Sequence, residues 1–191
     1  MLSGRLFHRQ DEIDEIIKLL SLELSSRIHV APFSDFISCL GILGDNSLIV
    51  GDSQGGLTVL DPFLLTSIWH SQAHHAKVSQ ILLLSPLSTE FFTSGKDCRI
   101  LHWDNLVLKY EYELKSPIRS IYWDSTFLWV ADCSNTVTSI EFTSEGFENP
   151  KQFGISNSDP MLPQFCVYEG KKTLLFATEN SLSFQNIQEG C

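Results

Sequence analysis

The stretch from residue 74 to residue 104, HHAKVSQILLLSPLSTEFFTSGKDCRILHWD, constrains the fold more than any other part of the chain. Its apolar residues fall into three short runs, at 78–84, 91–93 and 100–103. Runs of this length, bounded by polar and turn residues, are typical of strands rather than helices. Pro86 and Gly95 interrupt any helical period, and Gly95-Lys96-Asp97 predicts a tight turn between the second and third strands.

The polar residues of this stretch follow a characteristic spacing. Ala73-His74 opens it, Asp97 lies in the turn before the last strand, and Trp103-Asp104 closes it. In these positions it resembles the WD40 repeat family, whose repeats open with Gly-His and close with Trp-Asp. Ala73 departs from the usual Gly. The resemblance implies an all-β, WD40-like β-propeller, in which each repeat forms one blade.

The resemblance also implies a hydrogen-bonded network within the blade. In the family a His, an Asp, a strand Ser or Thr, and the Trp form it; by position these would be His74, Asp97, Thr93 or Ser94, and Trp103. A buried imidazole and a buried indole each need a partner, and a carboxylate fixes the histidine tautomer. A His, an Asp and a hydroxyl are also the parts of a nucleophilic triad. We interpret the set as structural and predict no catalytic residues.

Weaker copies of the unit recur at a period of about forty residues, which is typical of propellers. Residues 50–61 align without a gap over residues 130–141, with Gly or Asn where a left-handed turn residue is expected. We predict four blades, at 27–62, 63–104, 105–142 and 143–191. The segment from 146 to 163 is polar and rich in proline, and we predict that it contains a long surface loop.

Four blades would make a partial or open ring, because the family mostly closes with seven. Three explanations stay open. A partner supplies the missing blades, the chain is a shortened isoform or incomplete gene product, or a small ring closes with the N-terminal segment. An open ring would leave exposed strand edges and an exposed blade face.

Residues 1–26 form a leader followed by a predicted amphipathic helix. Apolar residues recur on one helical face, at Ile13, Ile16, Ile17, Leu20 and Leu24. Acidic residues fill the first turn, which suits the helix dipole. The helix would pack on the propeller or dock into a partner's groove. A strand over residues 20–30 is the alternative.

The composition excludes several classes of function. The formal net charge is −10, from 13 basic and 23 acidic residues, and no basic cluster occurs, so nucleic acids and anionic membranes are not expected partners. No apolar run is long enough to insert into a membrane. The five cysteines are odd in number and scattered, without a Cys-x-x-Cys pair. They favour a reducing compartment, cytoplasmic or nuclear, and no metal site.

We therefore predict a non-catalytic scaffold or adaptor subunit that binds other proteins and uses no cofactor. The candidate partner-binding residues lie in predicted loops at one rim: Asp52, His75, Lys96, Arg119 and Asp132. A ubiquitin-ligase substrate receptor is one alternative, but such receptors often carry Trp-Asp-x-Arg, and Leu106 stands at the Arg position. An enzyme or metal-binding protein that uses His70, His74, His75 and His102 is another.

Overall fold

The computed structural model describes residues 35–86, 88–154, 162–168, 171–177 and 182–186. From residue 154 onward it describes the backbone alone. The predicted leader and helix, residues 1–26, lie outside the described residues. The described part is all-β, with fifteen strands, as the sequence predicts. It has no helix long and apolar enough to cross a membrane.

The strands form four consecutive antiparallel sheets, each in chain order. Sheet 1 contains β1 (Ile37–Ile42), β2 (Leu48–Asp52), β3 (Gly56–Leu60) and β4 (Ser67–Gln72). Sheet 2 contains β5 (Val78–Leu83), β6 (Glu90–Gly95), β7 (Arg99–Asp104) and β8 (Val107–Glu113). Sheet 3 contains β9 (Ile118–Trp123), β10 (Phe127–Asp132), β11 (Thr136–Thr143) and β12 (Gly146–Gly154). Sheet 4 contains β13 (Leu162–Tyr168), β14 (Lys171–Ala177) and β15 (Leu182–Asn186).

The sheets stand side by side along their first strands, since β1 contacts β5, β5 contacts β9, and β9 contacts β13. A serine at the β-bulge of the first strand makes the same contact with the next sheet in both sheet 1 and sheet 2. Ser38 Oγ donates to the carbonyl of Val78 at 2.7 Å, and Ser79 Oγ donates to the carbonyl of Ile118 at 2.8 Å. The bulge falls at the same point of the first strand in sheets 1, 2 and 3. The sheets are therefore copies of one unit in the same orientation.

Each sheet has two ends. The upper end carries the β2–β3, β6–β7 and β10–β11 turns and the connections between sheets. The lower end carries the β1–β2 and β3–β4 turns and their equivalents in sheets 2 and 3. These two names are used below.

The upper turns of sheets 1, 2 and 3 share one backbone feature. A left-handed residue occupies the same position in each, namely Gly55 (φ 96°), Cys98 (φ 69°) and Asn135 (φ 58°). In sheets 1 and 2 its carbonyl accepts a hydrogen bond from the segment that enters the next sheet. The His74 N–H donates to Gly55 at 3.0 Å, and the Leu114 N–H donates to Cys98 at 2.8 Å. His74 and Leu114 are therefore equivalent positions in successive copies.

Two apolar cores lie between neighbouring sheets. Between sheets 1 and 2 the buried side chains include Ile49, Leu57, Val59, Phe91, Leu101 and Trp103. Between sheets 2 and 3 they include Phe92, Ile100, Ile121, Leu128, Val130 and Ile140. Neighbouring residues of one strand, such as Phe91 and Phe92, thus enter different cores. This is the period-2 alternation of a strand that is buried on both faces.

The sheets are displaced by one strand from the units predicted at 27–62, 63–104, 105–142 and 143–191. Each of the last three predicted units contains the outermost strand of one sheet and the inner strands of the next. Hydrogen bonding is the reason, because β4 pairs with β3, β8 with β7, and β12 with β11. The start of the first unit, at residue 27, lies outside the described residues.

The segment 146–163, predicted to contain a long surface loop, begins with β12, and its residues 155–161 lie outside the described residues. The strand is the outer one of its sheet, so its polar side chains face water. Pro150 is tolerated there because an edge strand has no neighbour that needs its missing N–H. The pairing also shifts register between Ser139 and Glu141, opposite this proline. Strands β13, β14 and β15 follow later in the chain.

Candidate functional site

Four polar side chains form a continuous hydrogen-bonded chain through sheet 2. His74 Nδ1 lies 2.9 Å from Asp97 Oδ1, and His74 Nε2 lies 2.9 Å from Thr93 Oγ1. The Trp103 indole N–H donates to the same hydroxyl at 3.0 Å. Because the carboxylate accepts, His74 carries its proton on Nδ1, and Nε2 accepts from Thr93. Each polar atom is thereby satisfied, and the central His74 and Thr93 are fully buried.

The turn at the upper end holds Asp97 in place. The backbone N–H of His75 donates to Asp97 Oδ2 at 2.9 Å, and that of Arg99 donates to Oδ1 at 3.3 Å. Burial raises the pKa of Asp97, but these N–H groups and the His74 ring outweigh it and hold the pKa below its usual range. Burial lowers the pKa of His74 more than Asp97 raises it. The pair is therefore a neutral imidazole beside a carboxylate.

Gly95 has no Cβ, and this allows Asp97 and His74 to lie close to its backbone. A Cβ on Gly95 would lie 2.2 Å from Asp97 Oδ1 and 2.5 Å from His74 Nδ1. The sequence predicts the turn correctly, but Gly95 serves the close approach of side chains instead of a positive φ. The left-handed residue of this turn is Cys98.

Ser94, the other candidate hydroxyl, is not part of the chain. It is fully buried, and its Oγ has no hydrogen-bond partner. Thr93 and Ser94 are neighbours in a strand, so their side chains face opposite sides of the sheet. Thr93 faces the core with sheet 1 and therefore meets His74.

The equivalent positions of sheet 3 contain apolar residues. Leu114 takes the place of His74, and the strand registers place Val130 at the Thr93 position and Ile140 at the Trp103 position. All three are buried in the core between sheets 2 and 3. The same backbone thus accepts either a polar chain or an apolar cluster at these positions.

The histidines considered as metal ligands lie in separate environments. His70 Nδ1 lies 3.1 Å from Thr58 Oγ1, His75 is exposed, and His74 is occupied in the polar chain. His102 faces the other core, where its ring lies 4.6 Å from the ring of Phe142. Among the described residues, no group of three His, Cys, Asp or Glu side chains is placed to hold a metal ion.

The five candidate partner-binding residues all lie at the upper end, but they differ in accessibility. Asp52 and Asp132 each accept backbone N–H groups of their own turns, and Asp132 is buried. The Lys96 ammonium lies 3.4 Å from Cys133 Sγ, across the gap between sheets 2 and 3. His75 is exposed, and Arg119 occupies the bulge at the start of β9. Asp52 and Asp132 thus stabilise turns, whatever else they bind.

The sequence predicts an exposed blade face in an open ring, but it does not identify the residues of that face. On β1, Leu40 and Ile42 are 68% and 55% exposed, on the face of sheet 1 that points away from sheet 2. The strand registers make them equivalent to Ile81 and Leu83 of β5, which pack into the core with sheet 1. The β1 part of this face is thus exposed, whereas Val50 and Leu60 on the same face are buried. Aligning β1 with β5 in the sequence would have revealed this.

The structure is similar to solved β-propeller domains. It matches the β-propeller domain of Cps50 (Swd1) from Myceliophteria thermophila with a TM-score of 0.64 at 13% identity. It also matches BBS1N, crystallised in complex with ARL6DN and soaked with lead or mercury, with TM-scores of 0.60 and 0.63 at 18% identity. Each match covers 83% of this chain and 54% of the other, so the chain spans about half the length of these domains. The sequence itself matches no protein-family profile and no curated protein. At these identities the likeness concerns the fold, and the consecutive sheets of this chain are arranged as blades of a β-propeller.

Proposed function

We propose that this chain is a non-catalytic WD-repeat scaffold subunit that holds other proteins in a complex. The proposal rests on one comparison between neighbouring sheets. Sheet 3 has Leu114, Val130 and Ile140 at the positions where sheet 2 has His74, Thr93 and Trp103. Because apolar residues fill these positions in sheet 3, we infer that the polar residues of sheet 2 serve to fill and stabilise the interior. His74 and Thr93 are both fully buried, so a substrate has no access to the imidazole or the hydroxyl.

Structural neighbours support the scaffold role by analogy. BBS1N was crystallised in complex with another protein, ARL6DN. Propellers present many turns on a rigid frame, and binding residues concentrate on such turns. The upper end of this chain offers His75, Lys96 and Arg119 beside the polar chain. We propose these three as the partner-contacting residues among the five candidates.

We further propose that a partner sheet covers the exposed face of sheet 1. Leu40 and Ile42 occupy the positions where Ile81 and Leu83 of sheet 2 bury against a neighbour. A face of this pattern is complementary to another blade-type sheet. Such a partner would supply a missing blade. Cys39, Cys98 and Cys133 are free thiols, which suits a cytoplasmic or nuclear complex.

Quantitative affinity purification from cells tests the proposal. The test variant carries His75→Ala, Lys96→Ala and Arg119→Ala, with Asp52 and Asp132 retained to preserve their turns. The control changes Lys109 and Glu145 at the lower end to Ala and Gln. We expect the test variant to lose specific co-purifying proteins that the control retains. Equal recovery by both variants would refute the assignment of the upper end. A purified chain that recovers no specific partner would refute the scaffold function.

A further inference from the structure

A lysine and a cysteine from neighbouring sheets meet at the upper end. Lys96 lies in the β6–β7 turn of sheet 2, and Cys133 lies in the β10–β11 turn of sheet 3. The Lys96 ammonium Nζ is 3.4 Å from Cys133 Sγ, a distance at which nitrogen and sulfur are in direct contact. Both side chains are half-buried, so a small solute can still reach the sulfur.

The backbone is held in place on both sides of this contact. The Lys96 N–H donates to the carbonyl of Lys77 at 2.9 Å, and the Cys133 N–H donates to the carbonyl of Pro117 at 2.8 Å. The two bonds are equivalent in successive copies, because Lys96 and Cys133 each lie two residues before the left-handed residue of their turn. The contact therefore joins the same turn position of two neighbouring sheets.

Further hydrogen bonds fix the spacing of these two sheets. The side chain of Gln80, on β5, exchanges two hydrogen bonds with the backbone of Ile121, on β9. Its Nε2 donates to the carbonyl at 3.1 Å, and its Oε1 accepts the N–H at 2.9 Å. The turns that carry Lys96 and Cys133 therefore stay close together. Two groups held in this way react as though their concentration were far above that in free solution.

Cys133 differs from the other described cysteines in its electrostatic surroundings. Burial raises the pKa of Cys39, and burial together with nearby carboxylates raises the pKa of Cys98. A raised pKa leaves less of the thiolate that reacts with an oxidant. Cys133 Sγ instead faces the Lys96 cation. Within the described ranges, no carboxylate lies at ion-pair distance from Lys96 Nζ, so the amine is not held elsewhere.

We infer that Lys96 and Cys133 become joined by a covalent nitrogen–sulfur bond, a sulfenamide, when a peroxide oxidises the cysteine. In the first step the Cys133 sulfur attacks one oxygen of hydrogen peroxide, the O–O bond breaks, and the departing hydroxide takes up the thiol proton as water. The product is a sulfenic acid. In the second step Lys96, after losing its ammonium proton to water, donates its nitrogen lone pair to the sulfur. The S–N bond forms as the S–O bond breaks, and the hydroxyl leaves as water with one N–H proton.

The overall reaction is balanced and reversible. The sulfur loses two electrons, and one peroxide is reduced to two waters. Two molecules of a thiol reverse the reaction. The first attacks the sulfur and releases the lysine amine, and the second releases Cys133 as a thiol and leaves the reductant as a disulfide.

The bond ties sheet 2 to sheet 3 and removes the positive charge of Lys96. Lys96 is one of the three residues that we propose to contact partners. A loss of partner binding in the presence of peroxide therefore rests on the proposed function. The covalent bond itself does not depend on that function.

Peptide mass spectrometry of the full chain, treated with hydrogen peroxide and digested with trypsin without reductant, tests the inference. We expect a cross-linked pair of peptides that contains Lys96 and Cys133, is lighter than the two separate peptides by two hydrogen atoms, and resists cleavage at Lys96. Dithiothreitol should restore the separate peptides. Lys96→Arg keeps the positive charge but should form no bond, because a guanidinium stays protonated.

Cys98→Asn is the matched control, because it places at Cys98 the residue that sheet 3 has at the same turn position. This variant should form the bond as fully as the wild type. It excludes a disulfide between Cys98 and Cys133, which would also remove two hydrogen atoms. Circular dichroism melts verify that the variants fold.

Several results would overturn the inference. One is a link that persists in Lys96→Arg or disappears in Cys98→Asn. Another is oxidation of Cys133 to a sulfinic acid while trypsin still cleaves at Lys96. A linked pair that retains an added oxygen atom would contradict a direct nitrogen–sulfur bond. These measurements involve no partner, so their failure leaves the proposed function standing, and failure of the partner assay leaves the covalent bond standing.

Discussion

Replacing Thr93 with Val should destabilise the protein far more than the same replacement at Thr138. Both threonines are buried in strands, at 0% and 1% exposure. Replacing the hydroxyl with a methyl group therefore changes the burial of the two side chains in the same way. Their hydrogen bonding differs. Thr93 Oγ1 bonds to both His74 Nε2 and the Trp103 indole, whereas Thr138 Oγ1 has no partner. The comparison isolates the contribution of the polar chain.

The magnitude follows from counting the groups that lose a partner. Thr93→Val leaves a buried imidazole nitrogen and a buried indole N–H unsatisfied, each at about 1–3 kcal/mol, so we expect a loss of about 2–6 kcal/mol. Thr138→Val removes a hydroxyl that is buried without a partner, so stability should be unchanged or rise by up to about 1 kcal/mol. For a domain of about 5–15 kcal/mol the difference is large.

Urea unfolding followed by tryptophan fluorescence measures both changes. The free energy of unfolding is obtained from the midpoint and the slope, and an unchanged slope shows that the unfolded state is comparable. A double variant, His74→Leu with Thr93→Val, copies the Leu114 and Val130 pair of sheet 3. It should be less destabilised than the sum of the two single variants, because it removes the unpaired imidazole. The reasoning fails if Thr93→Val and Thr138→Val have equal effects.

Three further predictions follow from the same contacts. Gly95→Ala should lower the free energy of unfolding by about 1–3 kcal/mol, because the new Cβ would overlap Asp97 and His74. Gly41→Ala should lower it less, because the nearest atom to its Cβ would lie at 3.2 Å. The urea midpoints of the two variants test this difference. Asp132→Ala should lose about 1 kcal/mol because Oδ1 accepts the N–H groups of Ser134 and Thr136, while Asp132→Asn keeps an acceptor and should remain within about 0.5 kcal/mol of the wild type in the same assay. Burial lowers the pKa of both His74 and His102, so below a pH of about 6.5 the unfolded chain takes up protons that the folded chain does not, and the free energy of unfolding should fall between about pH 7.5 and 5.5. His102→Phe should flatten part of that dependence, and a slope identical to that of the wild type would contradict the role of His102.

The part of the fold that could be predicted from the sequence is the part specified locally. Short apolar runs and turn residues predicted the strands other than β12. The alignment of residues 50–61 with 130–141 identified positions that have the same backbone conformation in two sheets. Gly55 and Asn135 are left-handed at one of these positions. The outer strand of each sheet was assigned to the wrong neighbour, because its partner is decided by hydrogen bonds that leave no signal in its own sequence. β12 was missed because an exposed edge strand can be polar and contain proline.

The candidate site was predictable to a similar extent. Motif spacing indicated His74, Asp97 and Trp103, but it left Thr93 and Ser94 undecided. The choice depends on which face of β6 meets His74, and that is a property of strand register. The exposed residues of β1 could not be identified because exposure depends on neighbouring sheets, and in the sequence Leu40 is indistinguishable from a core residue.

The exchange between sheets 2 and 3 explains why the sequence carries only one strong repeat motif. Both sheets use the same bulge, the same left-handed turn position and the same hydrogen bond from the incoming segment, yet one fills the interior with His74, Thr93 and Trp103 and the other with Leu114, Val130 and Ile140. The backbone therefore requires burial and shape at these positions, and it accepts two chemical solutions. The apolar solution requires no particular partner, whereas the polar one depends on every member being present. A search for the polar motif detects only repeats whose interior contains the His, Thr and Trp chain. Related chains with apolar residues at these positions in every repeat would keep this fold and show no motif.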